Sequence, residues 1–489
     1  MYSLNKMSKK DFNEFVKKNL SLAGALDGLK AYKGPEIVQI DLTNNCNLNC
    51  VGCWCHSTFL KELKLKGKEK KRKLPYEMVK KLIEDLYKLG TKEIMLSGSG
   101  EPFMYPKIME IISLIKEKDI KLNIITNFTL VNKKIIKKLV DLNVDYITAS
   151  LWAGDAETYV KTHPNQTKKT FERIRENLKY LHSIKKENNL PRVKIYNVIS
   201  KFNYGKIENM INFALDTLVD YIEFQVIEIV PKRTEILRLQ EGDKKKILKQ
   251  ILDFKKRKDY STDFIGTTEL EKLDRREHKD EFKDFGRFYK PTKKGFRLII
   301  KGEWAICPRG YLSIRKDFCK IFEPKFLFHF PNDLCSECSN NNYCYEHKKS
   351  VPLKAEFLTL LGFGSFYRRI SNESLREGYD SNIIDSISCY VGWIYARILT
   401  NGDIIPCCKA HLFALGNLYK NSFKDIWFSK KYNEFRKKAK NTKKSDVYFK
   451  KIGCYKGCDN LGMNLATHKK MKELNPLKVK LLNKRKLSV

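Results

Sequence analysis

Between residue 36 and about residue 230 the apolar positions keep changing period. The short runs "EIVQIDLT" (36–43), "EIMLS" from Glu93, "KLNIIT" (121–126), "DYITASL" (145–151), "RVKIYNVIS" (192–200) and "DYIEFQVIEI" (220–229) have β character and read as strands. Helical patterns lie between them, such as the face carrying Met78, Val79, Leu82, Ile83 and Leu86. Six β/α units follow, and such units build a parallel sheet covered by helices, with ligands bound where the loops gather at the carboxyl ends of the strands.

The remainder divides by composition. Residues 1–33 read as an N-terminal helical segment, 34–231 as the β/α core and 232–295 as a charged helical linker or insertion with little β character. Residues 296–350 form a cysteine-rich half-domain, 351–388 a helical connector, 389–468 a second cysteine-rich domain and 469–489 a basic tail. A chain of 489 residues with 42% hydrophobic content has room for two or three packed domains. The opening residues lack the pattern of a secretory leader, and no apolar run reaches the roughly 20 residues that span a bilayer. A cytoplasmic protein without a transmembrane segment is expected. The stretch "FLTLLGFGSFY" from Phe357, flanked by basic residues, leaves peripheral membrane contact open, with core packing favoured.

A formal charge of +38 raises the question of a nucleic-acid partner, but the cations are mostly lysine and are spread along the chain, which favours a solvated surface. The eight Lys and Arg residues between Lys61 and Lys73 have two readings: a solvated loop, which is favoured, or a steering patch for an acidic substrate. The 14 cysteines change the picture more, because their short spacings point to metal or cluster ligation rather than a disulfide framework.

Cys46, Cys50 and Cys53 have the spacing C-x3-C-x2-C, suited to holding three irons of a cubane and leaving the fourth open. A zinc knuckle closed by Cys55 or His56 is the competing account. With "SGSGEP" after the second strand and "ITN" in the third, the stretch 34–230 resembles the radical S-adenosylmethionine enzymes. That resemblance implies a partial (β/α)6 barrel of α/β class and a [4Fe–4S] cluster whose open iron binds S-adenosylmethionine. It also implies reductive cleavage to a 5′-deoxyadenosyl radical. Ser99, Gly100 and Glu101 correspond to the family's glycine-rich turn, Thr126 and Asn127 to its polar pair, and Ser150 to its fourth-strand serine, all as cofactor-binding residues. Three departures stand out. Phe128 replaces the usual glycine, and Lys161 or His163 is an unaligned candidate cation. Gly52 replaces a large residue before the third cysteine, which Trp54 or a neighbouring strand residue would compensate.

Downstream, Cys389-x12-Gly402-x4-Cys407 followed by "GNL", "IW" and "FR" resembles the SPASM extension of that family, a small α+β domain in which a hairpin holds an auxiliary iron–sulfur cluster. Cys454 and Cys458 complete four ligands and leave Cys408 over. Cys307, Cys319, Cys335, Cys338 and Cys344 form a second candidate set for a cluster or for zinc, giving one or two auxiliary clusters. The expected activity is radical hydrogen abstraction from a peptide or small polar substrate, with lipid or sugar substrates as alternatives. The electron would come from an external donor such as a flavodoxin or ferredoxin. No general base is assigned, although Glu223 and Glu228 lie near a strand end. A metal-stabilised RNA-binding protein is the rival class, disfavoured because it leaves "SGSGEP" unexplained and lacks aromatic–basic motifs.

Overall fold

The computed structural model describes residues 19–257, four short strands between 289 and 315, and residues 387–473 apart from 445, 453 and 455–457. Cys307, Cys319, Cys335, Cys338, Cys344 and the connector up to residue 386 lie outside the described residues.

Six parallel strands form in chain order: β1 (Ile37–Asp41), β2 (Glu93–Ser97), β3 (Lys121–Thr126), β4 (Tyr146–Ser150), β5 (Arg192–Ile199) and β6 (Tyr221–Val226). In β5, Val193, Ile195, Asn197 and Ile199 are buried while Arg192, Lys194, Tyr196 and Val198 are only partly so. Tyr196 and Val198 line a cavity. The alternation therefore separates a helix-facing side from a cavity side.

The covering helices are α1 (Leu20–Asp27), α2 (Gly67–Lys71), α3 (Tyr76–Lys88), α4 (Ile108–Glu117), α5 (Lys133–Asp141), α6 (Ala156–Thr162), α7 (Lys168–Ser183), α8 (Ile207–Asp216) and α9 (Glu241–Arg257). Helix α3 buries Val79, Leu82, Ile83 and Leu86, the i, i+3, i+4, i+7 stripe expected from its sequence. Asn132, Asp155 and Thr167 begin α5, α6 and α7 by accepting hydrogen bonds from the backbone N–H groups of Ile135, Thr158 and Thr170.

Helix α9 and strand β7 (Tyr289–Thr292) fall in the stretch expected to be a charged linker. The helix packs on the core through buried Ile247, and Gln250 Nε2 donates to the Tyr204 carbonyl at 3.0 Å. Strand β7 pairs antiparallel with β8 (Gly295–Leu298), and β9 (Trp304–Ile306) with β10 (Ser313–Arg315).

Residues 387–473 contain α10 (Val391–Ile394), β11 (Tyr395–Ile398), β12 (Asp403–Ile405), β13 (Gly416–Asn417), α11 (Phe423–Trp427), α12 (Lys430–Asn441), α13 (Val447–Lys450) and α14 (Leu461–Glu473). Strand β11 pairs parallel with β1, Gln39 opposite Arg397, so the sheet runs β13-β12-β11-β1-β2-β3-β4-β5-β6. The hairpin of the expected small α+β domain thus extends the core sheet. Gly402, at φ +82°, makes the β11–β12 turn as expected. Chain 19–34 fastens the same seam, since Trp393 Nε1 donates to the Lys30 carbonyl (3.0 Å) and Trp427 Nε1 to that of Lys33 (2.9 Å). Among the described residues no helix is long and apolar enough to cross a membrane.

Candidate active site and auxiliary centre

The chain leaves β1 into a loop that wraps three thiols around the mouth of the barrel. The Val51 N–H donates to the Thr162 carbonyl at the end of α6 (3.0 Å), and Cys53 N–H to the Cys50 carbonyl (3.0 Å). Backbone N–H groups also point at sulfur: Leu48 at Cys46 (3.4 Å), and Cys55 and His56 at Cys53 (3.4 and 3.3 Å). Burial pushes the Cys46 thiol up to about 11, Cys50 well above its usual range and Cys53 upward. Dry thiols with N–H donors directed at them are poor anions alone and good ligands once a metal supplies positive charge. Three soft sulfurs therefore line one cavity of about 380 Å³ together with Gly98–Glu101, Asn127, Ser150 and Trp152. Among the described residues no group of three or more His, Cys, Asp or Glu side chains is gathered tightly enough for a single metal ion. The donor set fits an iron–sulfur cluster with three protein ligands.

The candidate fourth ligands behave differently. Cys55 is not part of the cavity lining, and burial raises its thiol to about 11. His56 lines the cavity, but its Nε2 donates to the Ser99 carbonyl at 2.8 Å. It braces the turn.

That turn owes its glycines to neighbouring backbone as much as to any ligand. Gly98 has φ +134°, and a Cβ there would lie 2.3 Å from Asp41 Cγ; at Gly100 a Cβ would lie 2.4 Å from the Asn45 carbonyl oxygen and 2.5 Å from that of Thr43. Gly100→Ala is therefore expected to destabilise the protein by about 1–3 kcal/mol, because the obstructing atoms are backbone. A lowered urea midpoint of the apoprotein would register it, and an unchanged midpoint would contradict the close approach.

Glu101, fully buried, ties the turn to β3. Its carboxylate accepts from Thr126 Oγ1 (2.6 Å), the Asn127 N–H (2.7 Å) and the Phe103 N–H (3.2 Å), while burial raises it to about 7. Asn127 Nδ2 reaches the Asn47 side chain (2.9 Å) and the Cys46 sulfur (3.9 Å), so the polar pair ties the turn to the cysteine loop. Phe128 adopts φ +62°, the left-handed conformation that a glycine takes without cost. The departure from the family pattern is thus one of residue and not of backbone shape.

Ser150 lines the cavity and accepts from Trp152 Nε1 at 2.9 Å. Gly52 leaves space that Ile227 and Trp152 fill, 2.5 and 3.3 Å from where its Cβ would be. Residues just past β6 and β4, not Trp54, therefore compensate; Trp54 is 42% exposed. Lys161 sits over the Phe202 ring at 5.2 Å, and neither it nor His163 lines the cavity.

His163 is buried, stacked on Tyr159 at 4.4 Å, and burial pushes it down to about 4. The folded protein thus keeps it neutral, whereas the unfolded chain protonates below about 6.5. Stability from this group is complete above that value and falls as pH drops from about 6.5 towards 4, by up to roughly 1.4 kcal/mol per unit. His163→Gln should flatten this limb in urea titrations at pH 7 and pH 5; equal slopes in both proteins would refute the assignment.

The second centre gathers Cys389, Cys407, Cys454 and Cys458 around one cavity. Burial raises all four thiols, Cys454 to about 12. Asn464 Nδ2 reaches Cys458 Sγ at 3.6 Å and its Oδ1 accepts from the Tyr390 N–H, bringing α14 to the site. Four thiols around one cavity suit a cluster with a complete protein ligand set. Cys408 faces away, to Tyr395 Oη (3.3 Å) and Gln39. Glu223 pairs with Lys194 at 2.7 Å, while Glu228 lines the first cavity. Trp152, Tyr196, Gln225, Lys409 and Asp459 also line these cavities. No motif marks them; the one local signal is that Asp459 and Lys409 follow cysteines.

Comparison with known proteins agrees with this geometry. The profile of the radical SAM superfamily matches residues 40–214, and that of an iron–sulfur cluster-binding domain, SPASM, matches 389–451, ending before Cys454. The tungsten-containing aldehyde ferredoxin oxidoreductase cofactor-modifying protein of Pyrococcus furiosus is 26% identical over 187 residues, 38% of this chain and 49% of the relative. Fe-coproporphyrin III synthase of Methanosarcina barkeri is 34% identical over 119 residues, 24% and 27% respectively. The chain thus spans half or less of the length of these curated relatives. The crystal structure of Streptococcus suis SuiB bound to S-adenosylmethionine aligns with a TM-score of 0.49 at 16% identity, covering 93% of this chain and 80% of that one. The thiols ringing a barrel-mouth cavity and the four-cysteine centre beside it accord with those two profiles: residues 40–214 carry a radical SAM domain and residues 389–451 a SPASM iron–sulfur domain.

Proposed function

We propose that the chain is an enzyme that cleaves S-adenosylmethionine reductively and abstracts a hydrogen atom from a peptide or small polar substrate. The C-terminal centre would take up an electron or bind the substrate. The observation that carries this is the convergence of Cys46, Cys50, Cys53, the Gly98–Glu101 turn and Ser150 on one cavity, with Cys55 outside its lining. A cluster held by Cys46, Cys50 and Cys53 would supply the one-electron reduction that cleavage of S-adenosylmethionine, and hence hydrogen abstraction, requires.

The chain's own residues hold and shield these groups. The three thiols bind iron, and the N–H groups of Leu48, Cys55 and His56 stabilise charge on sulfur. The Ser99–Glu101 turn, Thr126, Asn127 and Ser150 hold the cofactor, while Trp152 and Ile227 close the wall beside Gly52 and keep water from it. The complete thiol set of the second centre favours electron uptake over direct substrate binding. An external donor such as a flavodoxin or ferredoxin would supply the electron, and the cytoplasm is the expected compartment. The relatives named above differ in what their names say they act on, so none of them fixes the substrate class.

The test is anaerobic reconstitution with iron and sulfide, reduction with dithionite, and assay for 5′-deoxyadenosine. A reducible cluster that yields none would overturn the proposal and favour a binding module.

A further inference from the structure

One lysine joins the walls of the two cysteine-lined cavities. Lys409, two residues after Cys407, has 7% of its side chain exposed. Its ammonium pairs with the Glu228 carboxylate just past β6 and lies 3.7 Å from the Asp459 carboxylate beside Cys458. It also sits 5.2 Å from the ring centre of Trp54, the residue between Cys53 and His56's neighbour Cys55. Glu228 and Trp54 line the first cavity, Lys409 lines the second, and Asp459 lines both. A lysine this buried is tolerated because two carboxylates flank it. Its position and that of Asp459 are set by loops that also carry Cys407 and Cys458.

We propose that Lys409 is a positioning residue through which the loaded C-terminal centre completes the substrate end of the N-terminal cavity. Four thiols bound to one cluster fix the loops bearing Lys409 and Asp459. The ammonium then holds Glu228 and Trp54 in the cavity wall. With that centre empty the two loops are released, Glu228 loses its partner, and the wall loosens although Cys46, Cys50 and Cys53 are untouched. The proposal rests on the radical chemistry above for its functional meaning, but its test does not need turnover.

The test compares reconstituted wild type with Lys409→Met, Lys409→Arg and Cys454→Ala by anaerobic hydrogen exchange in the segments 52–57 and 226–231. Cys454→Ala, which removes one of the second centre's four thiols and frees the loop that carries Cys458, should raise exchange in both segments by at least about fivefold. Lys409→Met should do the same with its iron content and the electron paramagnetic resonance signal of the second cluster unchanged, and Lys409→Arg should restore most of the protection. Wild-type exchange in Lys409→Met, or no rescue by arginine, overturns the proposal. If Cys454→Ala does not fold, the methionine–arginine pair decides alone. Absence of any S-adenosylmethionine-induced change in the signal of the first cluster would count against the radical chemistry and leave the exchange result to be judged separately.

Discussion

Cys50→Ala should lose the N-terminal cluster and, with it, at least about a thousandfold of 5′-deoxyadenosine formation, because no other thiol lines that cavity to replace the missing ligand. Burial pushes the Cys50 thiol well above its usual range, and Cys53 and Cys46 stand close enough to raise it further. Removing it leaves two sulfurs for an assembly that needs three. Cys55→Ala and Cys408→Ala are the informative companions. Cys55 is outside the lining and Cys408 faces Tyr395, so both variants should retain iron. Iron quantification and low-temperature electron paramagnetic resonance read the result. Full cluster signal in Cys50→Ala, or its loss in Cys55→Ala, would show that the ligand set has been misassigned.

Arg397→Met should destabilise the protein by about 3–5 kcal/mol, the cost of leaving a buried charge without its partner. Arg397 lies on β11 and binds Asp41 on β1 through Nε (3.0 Å) and a terminal nitrogen (2.8 Å), while the Asp41 side chain is 1% exposed. Tyr395 and Gln39, joined at 2.8 Å, form the adjacent link of the same seam. The double variant Arg397→Met/Asp41→Asn should recover more than half the loss, since it removes the stranded charge. Urea denaturation of the four proteins in a cycle measures this. Additive effects would mean that the two side chains do not depend on each other.

Much of the fold was legible because its signals are local. The β/α alternation and the stripe on α3 each need only a few turns or strands of chain to be read, and the structure has all six strands in the expected order. The cysteine spacings were legible for the same reason. The helical character of the charged stretch after residue 232 was legible too, but not that α9 would settle on the core through residues like Ile247. Which residue compensates for Gly52, Trp54 or a neighbouring strand residue, was not legible in the sequence. The residues that fill the space, Trp152 and Ile227, arrive from separate strand ends.

By itself the sequence determined the order of the strands, the class of the fold, the grouping of thiols and the position of the glycine turn, all of which follow from spacing along the chain. Only the tertiary structure decided that β11 would pair with β1, that Trp393 and Trp427 would fasten to the carbonyls of Lys30 and Lys33, and that Lys409 would stand between the two centres. Such contacts join residues far apart along the chain. They depend on burial and on which buried charge finds a partner, and neither is encoded in any single stretch of chain.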